Sequence, residues 1–563
     1  MGNEILGIRR EYVCSTYCKH KGDKSRDILA VKEILHHPDG RTQRQFKIIE
    51  NYKRPYYITK QSFRNHTQKK EFEYLDKVDV FYSTQAQLPR AVFRQLNGFN
   101  PSGYVNMYEL GNNPYVYGTD VATPVLLAQE YKEQYPNLIS ESSLAVMDFE
   151  WSVINGTTEI LSGVLSFKDK VHISVTKAFL GDLAANAKEL FFIALERYLG
   201  DIVKERNITV TFTIVETTGK LVQALMKSAH EWQPDFVGFW NMSGDIEKML
   251  EALEQDDIDP ALVFCDPSIP DEYKFFKWKK DNPVKTTASG KQTPKHIADL
   301  WHTVTAPASF YCVCLMATHR LVRARDQYRN DYKLNSVLND FLQLGKLRFD
   351  GIAENLPDLD WHKEMQQKFK IEYLVYMFFD GVGVEMLDEK TGDIKERLRG
   401  IIDVSELSSI KSTPKRLADD MHFAFLKDGK VIGSTGSNME DEFTKYLPTL
   451  NDWIICLPFE LEHNIGRKLI NEYPHLQTNI TAHAFDVDVE GAYPTSEICL
   501  NISKATRILE LCKIEGLSTI QQRELGINLT NANNNSLSLA QMGYGFPQLP
   551  TLLEKFKQSK GLV

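Results

Sequence analysis

The chain has 563 residues, of which 42% are hydrophobic and 25% charged, a length for several domains and the composition of an ordinary globular protein. Its net charge of −9 argues against a simple polyanion-coating protein. With no apolar run near the ~18 residues of a membrane span, no apolar signal core behind Met1-Gly2-Asn3-Glu4, and eight cysteines mostly scattered in apolar segments, a soluble chain of a reducing, cytoplasmic compartment is expected, with no membrane partner.

Charge is uneven along the chain. Residues Met1 to Leu75 hold 16 Lys/Arg against 9 Asp/Glu, and the remainder is acidic. The basic part interleaves aromatics, as in Tyr52-Lys53-Arg54-Pro55-Tyr56-Tyr57. Cations hold phosphates and aromatic faces stack on bases, so Lys53, Arg54 and Tyr56 are candidate contacts for single-stranded nucleic acid. A solvated sheet surface is the alternative. Alternating apolar runs with turn signals over roughly the first 140 residues predict a mainly β N-terminal region.

A mixed α/β pattern follows. Leu144 to Met147 reads as a strand, with Ile160 to Phe167 and Val171 to Val175 as antiparallel partners. Ala184 to Arg197 has helical periodicity, Ile208 to Val215 is β-branched, and Leu221 to Ala229 is again helical. A strand at Phe236 to Trp240 leads straight into a helix from Asp245 to Glu254. These elements predict a sheet of three to five strands flanked by helices. Pro267 to Pro294 is polar and reads as an exposed excursion, after which Phe310 to Met316 returns as a strand. His362 to Leu387 predicts one long helix, because Ile371, Leu374, Val375, Phe378, Phe379 and Val382 form a single apolar stripe. Beyond Gly400, strands are expected at Met421 to Leu426, Val431 to Ser434 and Trp453 to Leu457, with a domain boundary near 390–410.

Three places put carboxylates where such a sheet carries chemistry. Asp148 and Glu150 directly follow an apolar strand, and period 2 turns both to one face, where they can share a divalent cation. Spacing alone leaves a solvated pair open, since Asp245-Ile246-Glu247 and Asp488-Val489-Glu490 have the same form. Asp245 opens the helix after Phe239-Trp240-Asn241, and helix capping is its plain alternative. Tyr376 and Asp380 are spaced i, i+4 on one helix face bordering the core stripe, where a carboxylate is costly unless paired or metal-bound. Together, four carboxylates and a tyrosine are what a two-metal phosphodiesterase requires, with Mg²⁺ or Mn²⁺ as the ions and Tyr376 orienting the attacking water. Cys14, Cys18 and His20 have a hint of zinc spacing without a second ligand pair.

This ordered set resembles the D-x-E, N-x3–4-D and Y-x3-D exonuclease motifs of family B DNA polymerases, bacteriophage members in particular. Phe485-Asp486-Val487-Asp488-Val489-Glu490-Gly491-Ala492-Tyr493-Pro494-Thr495 is similar to the first polymerase motif of that family. The resemblance implies an α/β (α+β, multidomain) chain. Residues 1–140 would form a β-rich N-terminal domain, open to completion by residues of about 400–480. Residues 141–400 would form a ribonuclease-H-like 3′→5′ exonuclease domain. Residues 401–563 would return to the N-terminal domain and begin the polymerase palm. It implies Asp148, Glu150, Asp245 and Asp380 as exonuclease metal ligands and Asp488 as a palm metal ligand. Asp488 and Tyr493 would bind the incoming nucleotide and Asn241 the DNA. A 3′ single-stranded end and a primer–template are the implied partners, in the cytoplasm of a bacterial host for a phage-encoded chain.

The chain also departs from the family. Gly244 stands where an aromatic is common, Met377 where Asn or Ser is common, and Trp151 where Thr is frequent; these alter packing rather than the carboxylates. No D-T-D triplet occurs and no fingers motif with its lysine is found. Only 68 residues follow Thr495. The expectation is therefore exonuclease activity without polymerisation, a second chain supplying the remaining palm, fingers and thumb. An interrupted gene, a stand-alone 3′→5′ DNA exonuclease and a non-catalytic DNA-binding replisome subunit are the alternatives.

Overall fold

The computed structural model describes residues 7–433, apart from 68, 155–157, 287–290, 324–328, 330 and 355. The chain is mixed α/β. It opens with strands β1 (Arg9–Lys19), β2 (Asp27–His36) and β3 (Thr42–Glu50), paired antiparallel with β2 in the middle. Almost every residue of β2 is buried, including Lys32 and Glu33. Charge at such positions requires partners. Lys32 Nζ meets Asp235 at 2.8 Å and the carbonyls of Gln233 and Pro234, and Glu33 accepts from Lys47 and Tyr131.

A second antiparallel sheet holds β4 (Arg54–Thr59) between β6 (Val78–Ser83) and β7 (Val116–Tyr117), and β5 (Phe72–Tyr74) stands outside it. The chain then lays down β8 (Leu144–Trp151), β9 (Ile160–Phe167), β10 (Lys170–Thr176), β11 (Thr209–Val215) and β12 (Phe236–Phe239). The polar excursion follows as two small ladders, β13 (Lys277–Lys279) with β16 (Thr303–Thr305) and β14 (Val284–Thr286) with β15 (Gln292–Pro294). Next come β17 (Tyr311–Cys314) and, near the end of the described chain, β18 (Lys430–Ile432), which pairs back onto β5.

The central sheet has six strands in the order β11-β10-β9-β8-β12-β17. β9 runs antiparallel to β8 and β10, while the pairs β10–β11, β8–β12 and β12–β17 are parallel. The expected three to five strands become six because Tyr311–Cys314 extends the edge beside β12. Neighbours along β9 separate the two cores, as the strand period demands. Leu165 packs with Leu221, Leu225, Ile246 and Met249 of the helices Thr218–Trp232 and Met242–Gln255. Val164 packs with Phe191 of Ala187–Glu205 and with Leu374, Phe378 and Val382 of Lys370–Thr391.

Three elements differ from expectation. The strand expected through Met316 stops at Cys314, and a helix starts at Leu315. The long helix is two, Asp358–Lys368 and Lys370–Thr391, separated at Phe369 with φ −124° and ψ 49°. Met421 to Leu426 is not a strand but the last part of the helix Thr413–Lys427, whose N-terminus is capped by Ser412 accepting from the Lys415 N–H. A short apolar run has no period of its own long enough to separate strand from helix; burial of Asp419, His422 and Phe423 at i, i+3 and i+4 makes the choice. Trp453 to Leu457 lies outside the described residues. Among those residues no helix is long and apolar enough to cross a membrane.

Candidate metal centre

Asp148 and Glu150 stand on β8, opposite Val164 and Ser162 of β9, with a register shift immediately after Glu150. Phe149 between them turns the other way into the core. Asp245 lies in the first turn of Met242–Gln255, 3% exposed, and Asn241 at its cap makes no side-chain bond to the helix. Because β12 neighbours β8 in parallel, the start of that helix comes beside the end of β8. Tyr376 and Asp380 project from Lys370–Thr391, and both are buried.

Asp148, Glu150 and Asp380 each offer an oxygen lying within 4.8 Å of the other two. Asp380 is 1% exposed, and its Oδ1 is buried with no hydrogen-bond partner. Its Oδ2 accepts from Lys346 Nζ at 2.6 Å, and the same ammonium donates to the Tyr376 hydroxyl at 2.6 Å. Three converging carboxylates, one with an orphaned buried oxygen, fit a hard divalent cation such as Mg²⁺ or Mn²⁺, which takes oxygen ligands. Asp245 is not one of the three whose oxygens converge, yet it stands close enough to feel Asp148 and Glu150.

The electrostatics follow from crowding like charges in a half-buried place. Burial, then the Asp380 charge, raises the Asp148 carboxyl to about 7. Burial and Asp148 raise Glu150 to about 8. Asp245 is pushed well above the carboxylate range by burial and then by both neighbours. Burial works against the charge of Lys346, but Asp380, Glu150 and Asp148 outweigh it and hold the ammonium protonated. Such a cluster retains protons until a cation takes their place.

The motifs did not point to four further side chains. Lys346 sits in the loop after Leu334–Leu342, with no local signal. Tyr373, three residues before Tyr376 on the same helix face, donates to Glu150 Oε2. Behind it stand His362, with Nδ1 2.8 Å from the Tyr373 hydroxyl, and Gln366 at 3.2 Å. The spacing of Tyr373 and Tyr376 was a usable signal; that of the others was not.

Other expected site residues lie elsewhere. Arg54 and Tyr56 are each 1% exposed on β4, where Arg54 donates to the Gly118 carbonyl and Tyr56 packs in the core. A buried guanidinium and phenol are not available to a strand, so of that trio only Lys53 is exposed. Asn241 is exposed at its helix cap. Asp488 and Tyr493 lie outside the described residues. Cys14, Cys18, Cys265, Cys312 and Cys314 are buried free thiols, and His20 Nδ1 accepts from the N–H groups of Gly22 and Asp23. Among the described residues the acidic triad, not this Cys/His set, is the one group placed to hold a metal. Two of the departures noted in sequence meet in space: a Cβ on Gly244 would lie 3.6 Å from the Trp151 ring.

No protein-family model matches the chain, and no curated protein matches it.

Proposed function

We propose that this chain is the N-terminal part of a family B DNA polymerase and carries a metal-dependent 3′→5′ proofreading exonuclease. The observation carrying this reading is that Asp380, far away in sequence, converges on the Asp148/Glu150 pair so that an oxygen of each lies within 4.8 Å of the others. A six-stranded sheet with antiparallel β9 among parallel neighbours, and helices on both faces, supports a ribonuclease-H-like domain around that cluster.

Asp148, Glu150 and Asp380 would hold the ion, with the Asp245 carboxyl beside them on the neighbouring helix. Bound there, a divalent ion supplies charge neutralisation at the phosphate and a water acidic enough to ionise near neutral pH. The protein's own groups supply position. Lys346 holds the Tyr376 hydroxyl and the Asp380 carboxylate together, at 2.6 Å to each, so the hydroxyl is fixed at the edge of the cluster. From there it can orient a water toward the terminal phosphodiester. Because burial and crowding make Asp148 and Glu150 weaker acids, cation binding releases protons.

The test is a primer–template with an unpaired 3′ tail, labelled at the primer 5′ end and incubated with the full chain and Mg²⁺. Stepwise shortening that Asp148→Ala/Glu150→Ala abolishes and four dNTPs do not reverse is the expected result. No shortening by the wild-type chain would overturn the exonuclease reading. Shortening that turns into extension would overturn the expectation that this chain does not polymerise alone.

A further inference from the structure

The carboxylates of the cluster do not hold their own positions. Glu150 is the last residue of β8 before the register shift, where the ladder with β9 loosens. Two groups from outside the sheet act there. Gln366, 2% exposed on the helix Asp358–Lys368, accepts from the Val153 N–H at 3.1 Å and donates to the Trp151 carbonyl at 3.0 Å. One side-chain amide thus clasps the backbone on both sides of Ser152. Tyr373 is fully buried on the next helix, and its hydroxyl donates to Glu150 Oε2.

The hydrogen-bond inventory around Tyr373 closes without remainder. A phenol has one proton and two lone pairs. The proton goes to Glu150, so the oxygen accepts from Gln366 Nε2 at 3.2 Å and from His362 Nδ1 at 2.8 Å. That assigns the His362 proton to Nδ1. The ring of Tyr373 is itself confined, stacked on Tyr376 at 5.8 Å with 3° between planes and edged by His362 at 5.7 Å. The aromatic layer therefore links the residue that holds Glu150 to the tyrosine beside Asp380.

We propose that Tyr373 is a positioning residue for the metal centre: with Gln366 and His362 fixing its hydroxyl, it anchors Oε2 of Glu150 and leaves the other oxygen to the cation. This rests on the reading of the carboxylates as a metal centre. A carboxylate free to rotate at a loosened strand end loses entropy when it binds an ion, and one already anchored does not. Tyr373 touches neither substrate nor ion, and acts through Glu150 alone.

The experiment uses the full chain with Tyr373→Phe, which removes one oxygen and keeps the packing. Mn²⁺ binding is read by electron paramagnetic resonance, and cleavage of a 5′-labelled single-stranded oligodeoxynucleotide is read as kcat and KM. Outer-shell partners of metal ligands typically control affinity or rate by about 10–100-fold. The expected result is a loss in that range in Mn²⁺ affinity or in kcat, with KM unchanged and melting in chelator within a few degrees of wild type. Unchanged Mn²⁺ affinity and kcat in the variant, with an active wild type, would overturn the role of Tyr373 alone. A wild-type chain that binds no Mn²⁺ would overturn the metal centre itself and this role with it. Should Tyr373→Phe fold poorly, His362→Phe decides: a smaller loss of the same kind supports the role, and wild-type metal affinity and rate overturn it.

Discussion

Metal affinity should depend steeply on pH, because the ion must displace protons that the cluster holds tightly. With Asp148 raised to about 7 and Glu150 to about 8, both carry protons at pH 6, and most of that occupancy is gone by pH 8. Treating the two as a pair that must ionise fully, the product of their ionised fractions rises about 500-fold between pH 6 and pH 8. Calorimetric titration with Mg²⁺ or Mn²⁺ at pH 6, 7 and 8 should show an apparent affinity rising by two to three orders of magnitude. Proton release, read from the buffer dependence of the enthalpy, should fall over the same interval. Stability moves with it. Both folded values lie above the unfolded ones, so the protons they retain stabilise the metal-free fold fully below about pH 4, and that contribution is lost as pH rises through 7 to 8. Bound metal reverses the trend, so the gap in melting temperature between Mg²⁺ and chelator should widen from pH 6 to pH 8. An affinity changing less than about threefold across that range would refute the argument that crowding and burial raise these carboxyls.

Two further outcomes follow from charges the fold has buried. Asp148→Asn/Glu150→Gln removes the repulsion, so in chelator at pH 8 the variant should be more stable than wild type by roughly 2–4 kcal/mol. The advantage should be smaller at pH 6 and vanish near pH 4, and Mg²⁺ should give no melting shift; calorimetric scans at the three pH values check both. Asp235→Ala should cost about 3–5 kcal/mol in urea unfolding, because it strands fully buried Lys32 and removes the partner of Arg44 at 2.9 Å. Those two cations hold Asp235 well below the usual carboxylate range against the cost of its burial, so the contribution is present above about pH 4 and lost as pH falls below it.

Local pattern was enough wherever one element carries the information. Period 2 after an apolar strand puts Asp148 and Glu150 on one face, and the turn of a helix puts Tyr376 under Asp380; both relations survive in the fold because they are properties of a strand and a helix alone. The apolar stripe of residues 371–382 likewise found its place against β9 and β10. Relations between elements were beyond it. Arg54 and Tyr56 have the composition of a nucleic-acid surface, but the helix Leu88–Asn97 packs over Tyr56 and the Gly118 carbonyl takes the Arg54 guanidinium, so both are buried. Lys346 comes from a loop with no pattern, and only packing of the following helices sets its ammonium between Tyr376 and Asp380. Gln366 reaches the Trp151 carbonyl, and Tyr373 the Glu150 carboxylate, across more than 200 residues of chain. The sequence by itself thus determined which carboxylates share a face. Tertiary structure decided that three of them converge, that a lysine joins them, and that the basic N-terminal segment is partly core, since burial and charge proximity arise only when separate elements pack.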